Sequence, residues 1–252
     1  MNNVKGIERL RAELRRVAFE ALYSQFAWAY DWVSRTFFLG QWRVWQRAAI
    51  PHLKGHAVLE VGLGTGDMQV DLTRRGFTAW GIELSPQMLR QARRKARRQR
   101  IAPLRVCRAR AQRLPFPDSS FNSAVATFPS DYIAEPQTLS ELSRVLKPGG
   151  RLVVVPGGWL APVDSKGMML EWLAVVVYGG KSAPTGPAAK ELTALDTEKL
   201  MSSAHWASGW VKLLNGRMIE AGFSVRVHVA SNRRGAALVM VAEKPDSEAP
   251  GD

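Results

Sequence analysis

Apolar positions recur along this 252-residue chain at two spacings, and the changes from one to the other mark its elements. Short apolar runs near 57–61, 78–82, 104–107, 123–128 and 151–155 read as buried strands. Residues 65–75, 86–99 and 137–146 read as the helices between them. The middle helix carries Met88, Leu89, Ala92 and Ala96 on one face and arginines over the rest, with Ser85 as N-cap and Pro86 at its first position. Pro136 sets the start of the third helix, and Lys147–Gly150 ends it. A helix over 209–221, stopped by Gly222, precedes a hairpin that pairs Phe223–Val229 with Ala237–Ala242 across a turn at Asn232–Gly235. Strands alternating with helices predict an α/β fold with a doubly wound, mostly parallel sheet.

The remaining segments have other patterns. Ile7, Leu10, Leu14, Val17 and Ala21 make residues 4–22 an amphipathic helix, with Arg9, Arg11, Arg15 and Arg16 around the rest of the wheel. Residues 23–45 hold nine of the chain's 22 aromatic residues, so this stretch is core, lid or membrane contact rather than linker. Residues 157–208 form an insertion in which Met168–Tyr178 is nearly all apolar, and it reads as a lid over a substrate. Residues 245–252 read as a frayed polar tail. The expected organisation is a helical cap over 1–50 and one α/β domain over 51–252 that carries the lid at 157–208.

Candidate chemistry begins where the first strand ends. Gly62, Gly64 and Gly66 stand at alternate positions after Val61, with Glu60 just before them. Glycines there allow a tight turn and close backbone approach to a ligand, and a helix N-terminus follows. A dinucleotide fingerprint, G-x-G-x-x-G, would need glycine at position 67, which is Asp67. A nicotinamide-dependent dehydrogenase is therefore the more distant reading.

The E-x-G-x-G-x-G pattern at Glu60–Gly66 resembles motif I of the class I S-adenosylmethionine (SAM)-dependent methyltransferases. Glu83 follows 17 residues after Gly66, at the end of the second strand, where a doubly wound sheet presents a carboxylate to ribose hydroxyls. Leu114–Phe121 and Arg144–Leu152 resemble strings of one subgroup that includes quinone-ring, phospholipid and small-molecule enzymes. Tyr30–Asp31 and Gly40–Gln46 resemble the segment before motif I in quinone-ring methyltransferases. The resemblance covers residues 25–160 and, by topology, 209–244. It implies a seven-stranded sheet whose last strand is antiparallel.

It also implies SAM as cofactor and a site to hold it. Glu60 orients the ligand's ammonium, directly or through water. The Gly62, Gly64 and Gly66 backbone approaches the ligand, Glu83 holds the ribose diol, and Leu84 and Met88 face the adenine. Tyr30, Ala111, Gln112 and Phe128 complete the expected cofactor-binding set. No metal is expected. Two positions depart from the subgroup. Arg110 stands where an acidic or amide residue contacts adenine, and it cannot accept a hydrogen bond. Either Gln112 or a backbone carbonyl takes over that contact, or the arginine turns outward. Asn122 replaces the usual aspartate before the fourth strand. The segment Phe128–Ile133 is expected to face the reacting methyl, with Asp131 and Tyr132 as orienting groups and His205, beside Trp206 and Trp210, as a candidate base.

Charge and cysteine content narrow the partners. The net charge of +13 implies an anionic partner, whether nucleic acid, anionic lipid or an acidic small molecule, or else simply a basic, well-solvated surface. The Arg90–Arg100 run reads as the solvated outer face of its helix, and no aromatic residue interleaves it. A single cysteine, Cys107, rules out an intrachain disulfide and argues for the cytoplasm. No apolar run reaches the roughly 18 residues of a membrane span, and the charged N-terminus is not a secretory signal. The expected acceptor is a small or lipid-like molecule, a phospholipid amine or a quinone ring, reached from the inner face of a membrane by a peripheral protein. A nucleic-acid methyltransferase is the enzymatic rival. It is weakened because the segment after the fourth strand lacks the D/N-P-P-aromatic motif. A non-catalytic binding module is the other rival, weakened by the intact glycine motif.

Overall fold

The computed structural model describes residues 41–160, 208–232 and 235–246. The amphipathic 4–22 segment, the Met168–Tyr178 segment, Tyr30 and His205 lie outside the described residues. One seven-stranded sheet runs in the order β3-β2-β1-β4-β5-β7-β6. Its strands are β1 (Ala57–Val61), β2 (Thr78–Glu83), β3 (Arg105–Arg108), β4 (Phe121–Thr127), β5 (Leu146–Leu160), β6 (Ser224–Asn232) and β7 (Gly235–Glu243). The first five pair in parallel, and β7 lies antiparallel between β5 and β6. The expected α/β, doubly wound, mostly parallel sheet with an antiparallel last strand is the observed one.

Helices α1 (Gln41–Arg47), α2 (Asp67–Arg74), α3 (Pro86–Arg98), α4 (Pro136–Val145) and α5 (Ser208–Glu220) flank the sheet. Strand periodicity places alternate residues on its two faces. Leu59, Leu152 and Met240 pack with Leu139 and Leu142 of α4 and Leu214 and Met218 of α5. Val58, Val153 and Val239 pack with Trp45 of α1 and Met68 and Leu72 of α2. Leu89 and Ala92 of α3 meet Leu63, Leu104 and Val106 beside the β3 edge. Part of the aromatic-rich 23–45 stretch is therefore core, because Trp45 is fully enclosed.

Two boundaries differ from the sequence reading. Strand β5 continues to Leu160, where Gly157–Leu160 pair with Gly235–Leu238 of β7. The insertion therefore starts after residue 160 rather than at 157. Gly158 makes this possible, since a Cβ there would meet the Trp45 ring at 2.5 Å. Helix α4 ends at Val145, and Lys147–Gly150 belongs to the extended approach into β5 rather than to a helix stop.

The chain runs from β1 outward to β2 and β3, then returns to β4 on the other side of β1. The carboxyl ends of β1 and β4 thus flank a topological switch point, where open α/β sheets bind ligands. Among the described residues no helix is long and apolar enough to cross a membrane.

Candidate active site

Glu60, the last residue but one of β1, is 1% exposed, and its Oε2 has no hydrogen-bond partner among the described residues. Burial pushes its carboxyl well above the usual carboxylate range. The Gln69 side chain pulls it down, while the charges of Asp67, Glu83 and Asp71 push it further up. A buried acceptor left unpaired is costly, so this oxygen marks a place for a donor.

The glycines after it do three different things. All have positive φ, at 72°, 54° and 81° for Gly62, Gly64 and Gly66. A Cβ on Gly62 would collide with the Tyr132 hydroxyl, which donates to the Val61 carbonyl at 3.2 Å. A Cβ on Gly66 would lie 2.7 Å from the Ala92 Cβ, so this glycine lets α3 dock on the loop. At Gly64 a Cβ would meet nothing within 4 Å. Among the described residues, the loop therefore leaves its bare backbone uncovered at that one position.

Glu83 ends β2 beside the loop and is 5% exposed. Its Oε2 accepts the Gly64 N–H at 3.0 Å, and its Oε1 accepts the Ser85 N–H at 2.8 Å. One carboxylate thus joins the glycine loop to the N-cap of α3. Ser85 Oγ accepts the Met88 N–H, the capping geometry expected from the sequence. Leu84 is 48% exposed at the rim of the cleft, whereas Met88 is fully buried behind it. Lys95 of α3 reaches the start of α2, donating to Thr65 Oγ1 at 3.0 Å and Asp67 Oδ2 at 2.8 Å.

On the other side of the switch point, Phe128 follows β4 with φ of 52°, an uncommon backbone for a non-glycine residue. Its N–H donates to the Val155 carbonyl at 2.8 Å, and its ring stacks on Trp42 of α1 with centroids 3.8 Å apart. Asp131 and Tyr132 sit on a short 3-10 turn, Asp131–Ala134. Tyr132 is half-buried against the glycine loop, and Asp131 is exposed. Glu60, the three glycines, Glu83, Leu84, Phe128 and Tyr132 therefore converge on the carboxyl edge of the sheet.

The departures noted in the sequence resolve locally. Arg110 is exposed and turns outward. Ala111 is buried, and Gln112 donates to Glu135 Oε2 at 2.6 Å. Asn122 lies at the opposite edge of the sheet, where its Oδ1 accepts the Ala57 N–H and its side chain packs on Gly55. Sequence reasoning missed the Trp42–Phe128 stack, because nothing in the spacing of those residues announces it. It also missed the anchor of α1: Arg43 and Arg47 both bond Asp71 of α2, at 2.7–3.2 Å.

Comparison with known proteins agrees with this geometry. Residues 59–154 match the family model described as "Methyltransferase domain". The chain is 38% identical over 144 residues to a demethylmenaquinone methyltransferase of Deinococcus radiodurans, covering 55% of this chain and 59% of the relative. It is 37% identical over 110 residues to a phosphatidylethanolamine N-methyltransferase of Cereibacter sphaeroides, covering 43% and 54%. These matches span little more than half of each relative's length. A demethylmenaquinone methyltransferase of Thermobifida fusca is 33% identical over 171 residues, covering 65% of this chain and 71% of the relative. The fold is shared with a magnesium protoporphyrin IX methyltransferase of Synechocystis PCC 6803 solved with bound S-adenosylhomocysteine, at a TM-score of 0.51 and 15% identity over 91% of this chain and 99% of that one. On the glycine loop, the sheet order and the extent of the last curated match, the chain belongs to the class I SAM-dependent methyltransferase family.

Proposed function

We propose that the chain transfers a methyl group from SAM to a small or lipid-like acceptor, in the first place a quinone ring, at or near a membrane surface. The observation that carries this reading is the buried Glu60 Oε2, which has no partner among the described residues, near Gly64, where a Cβ would meet none of them within 4 Å. An ammonium is the donor that a lone carboxylate oxygen binds most strongly, and a ligand lying along the loop would bring one there. The residues present therefore fit an amino-acid-bearing nucleoside such as SAM. When bound, that cofactor supplies a methyl made electrophilic by a positively charged sulfur.

The chain's own residues position and shield. Glu60 fixes the ammonium. Glu83 already accepts two backbone N–H groups and still has lone pairs for ribose hydroxyls. Leu84 covers the adenine with Met88 behind it, while Ala111 and Gln112 bound the same pocket. Phe128 and Tyr132 wall the space where the acceptor meets the methyl. Asp131 orients the acceptor, with Tyr30 and His205 assigned to the site from the sequence alone. Holding donor and acceptor in line supplies much of the rate in such a displacement. A phenolic ring or an ammonium acceptor must also lose a proton to a base, the role assigned to Asp131 or His205. Residues 1–50 serve as a cap and residues 161–207 as a cover that keeps water out.

The relatives that act on demethylmenaquinone favour the quinone. The phosphatidylethanolamine N-methyltransferase relative favours a second reading, methylation of a phospholipid amine. Incubation with methyl-labelled SAM and a lipid extract decides between them. Mass spectrometry should find the label on the quinone fraction. Label on phosphatidylethanolamine would select the second reading, and a lipid extract that takes up no label would overturn both.

A further inference from the structure

The chain's positive charge is unevenly placed. Between Glu83 and Asp118 stand eleven lysines and arginines and not one carboxylate. Several arginines elsewhere among the described residues are neutralised locally. Arg43 and Arg47 hold Asp71, Arg144 holds Glu141 and Asp118, and Arg226 holds Glu243. On α3 the one such pair among the described residues is Lys95 with Asp67, on the side that faces α2. Arg90, Arg93, Arg94, Arg97 and Arg98 are exposed and make no ion pair with any described residue.

These five arginines form one stripe. At about 100° per residue they fill an arc of about 140°, opposite the buried Met88, Leu89, Ala92 and Ala96. Like charges at three- and four-residue spacing destabilise a helix, so the stripe works against the fold that carries it. Its upper end meets the site. Helix α3 begins directly after the exposed Leu84, and Arg108 of the edge strand β3 donates to the Leu84 carbonyl at 2.9 Å.

We propose that the α3 stripe lays the protein on an anionic lipid bilayer and brings the Leu84 rim of the cleft to that surface. This rests on the lipid-like acceptor argued above, which must be reached in a membrane. The stripe offers charge alone along one side of a helix, which suits a plane of anionic headgroups. No aromatic side chain interleaves it as a stacking platform for nucleic acid bases. A nucleic acid backbone would still be attracted by charge, so it is an arm of the test.

The test uses the full chain and the triple variant Arg90→Gln, Arg94→Gln, Arg97→Gln, whose exposed sites keep helix-forming side chains. Each is sedimented at low salt with phosphatidylglycerol vesicles, with phosphatidylcholine vesicles, and mixed with transfer RNA. Calorimetric binding of S-adenosylhomocysteine reports that both remain folded. The wild type should bind the phosphatidylglycerol vesicles alone, and the variant's partitioning should fall on the order of a hundredfold, with cofactor-product affinity unchanged. Equal partitioning of the two proteins overturns the proposal, and so does a wild type that ignores the vesicles yet binds transfer RNA through the stripe. Stripe-dependent vesicle binding by a protein that labels neither quinone nor phosphatidylethanolamine in the lipid-extract assay supports the docking surface and overturns the acceptor reading instead.

Discussion

At the scale of single residues, Glu60 is the most consequential side chain. It lies buried near the end of β1 with one oxygen that has no partner among the described residues, and burial holds its carboxyl well above the usual range. A carboxyl whose folded value lies above its unfolded one binds its proton more tightly in the fold. That contribution to stability is present below the unfolded value and is lost as pH rises through the folded one. An ammonium beside the same oxygen reverses the preference, because it stabilises the ionised form. Cofactor binding should therefore release up to one proton, and affinity should rise with pH until Glu60 ionises unaided. Calorimetry in buffers of different ionisation enthalpy measures that release. Glu60→Gln should bind more weakly and release none. Equal apparent enthalpies in all buffers for the wild type would show that Glu60 does not meet the ammonium. The residue itself is legible in the sequence, since a carboxylate two positions before a spaced glycine run is a local pattern. Its proton affinity is not, because that depends on strand pairings and on Gln69 and Asp71, which approach only when the sheet forms.

At the scale of elements, α1 is held down by an ion-pair clamp. Asp71 of α2 is 2% exposed and accepts hydrogen bonds from both Arg43 and Arg47. Burial alone would raise its carboxyl, but the two guanidinium groups outweigh it and bring the value from 3.8 to about 2. A lowered carboxyl contributes stability above its unfolded value, and that stability is lost as pH falls toward the folded one. The shift corresponds to about 2 kcal/mol. Asp71→Asn should thus destabilise the protein by about 2 kcal/mol at neutral pH, as read from urea unfolding, with the difference shrinking between about pH 4 and pH 2. A variant with unchanged midpoint at pH 7 would mean that the clamp is idle. Both arginines remain partly exposed, at 28% and 41%, so the larger penalty of a fully buried orphan charge does not apply. This clamp was not legible in the sequence. Arg43, Arg47 and Asp71 look like ordinary surface charges until α1 crosses the sheet. Strands β1, β2, β4 and the hairpin were legible because their apolar runs are bounded by glycine and polar turns. The length of β5 was not, since Gly157 and Gly158 look like a loop and extend only because β7 pairs with them.

At the scale of the whole molecule, residues 59–154, which match the methyltransferase model, are not the whole of the folding unit. Strand β7 is inserted between β5 and β6, and its residues Gly235–Ala242 are all buried. Alternation sends Leu238, Met240 and Ala242 into the core beneath α4 and α5, and Ala237, Val239 and Val241 into the core beneath α1 and α2. A single strand therefore closes both layers. Burying a large aliphatic side chain contributes about 1.5–3 kcal/mol, so Leu238, Val239, Met240 and Val241 together approach the roughly 5–15 kcal/mol by which a domain is stable. Losing the strand would also bare the backbone of β5 and leave an apolar edge open to pairing with other chains. A chain ending at residue 207, lacking α5, β6 and β7, should accordingly lose cooperative thermal unfolding by circular dichroism and should sediment as aggregate. A soluble truncated protein with a sharp transition would mean that the first five strands close a core of their own, with the antiparallel pair as an accessory to it.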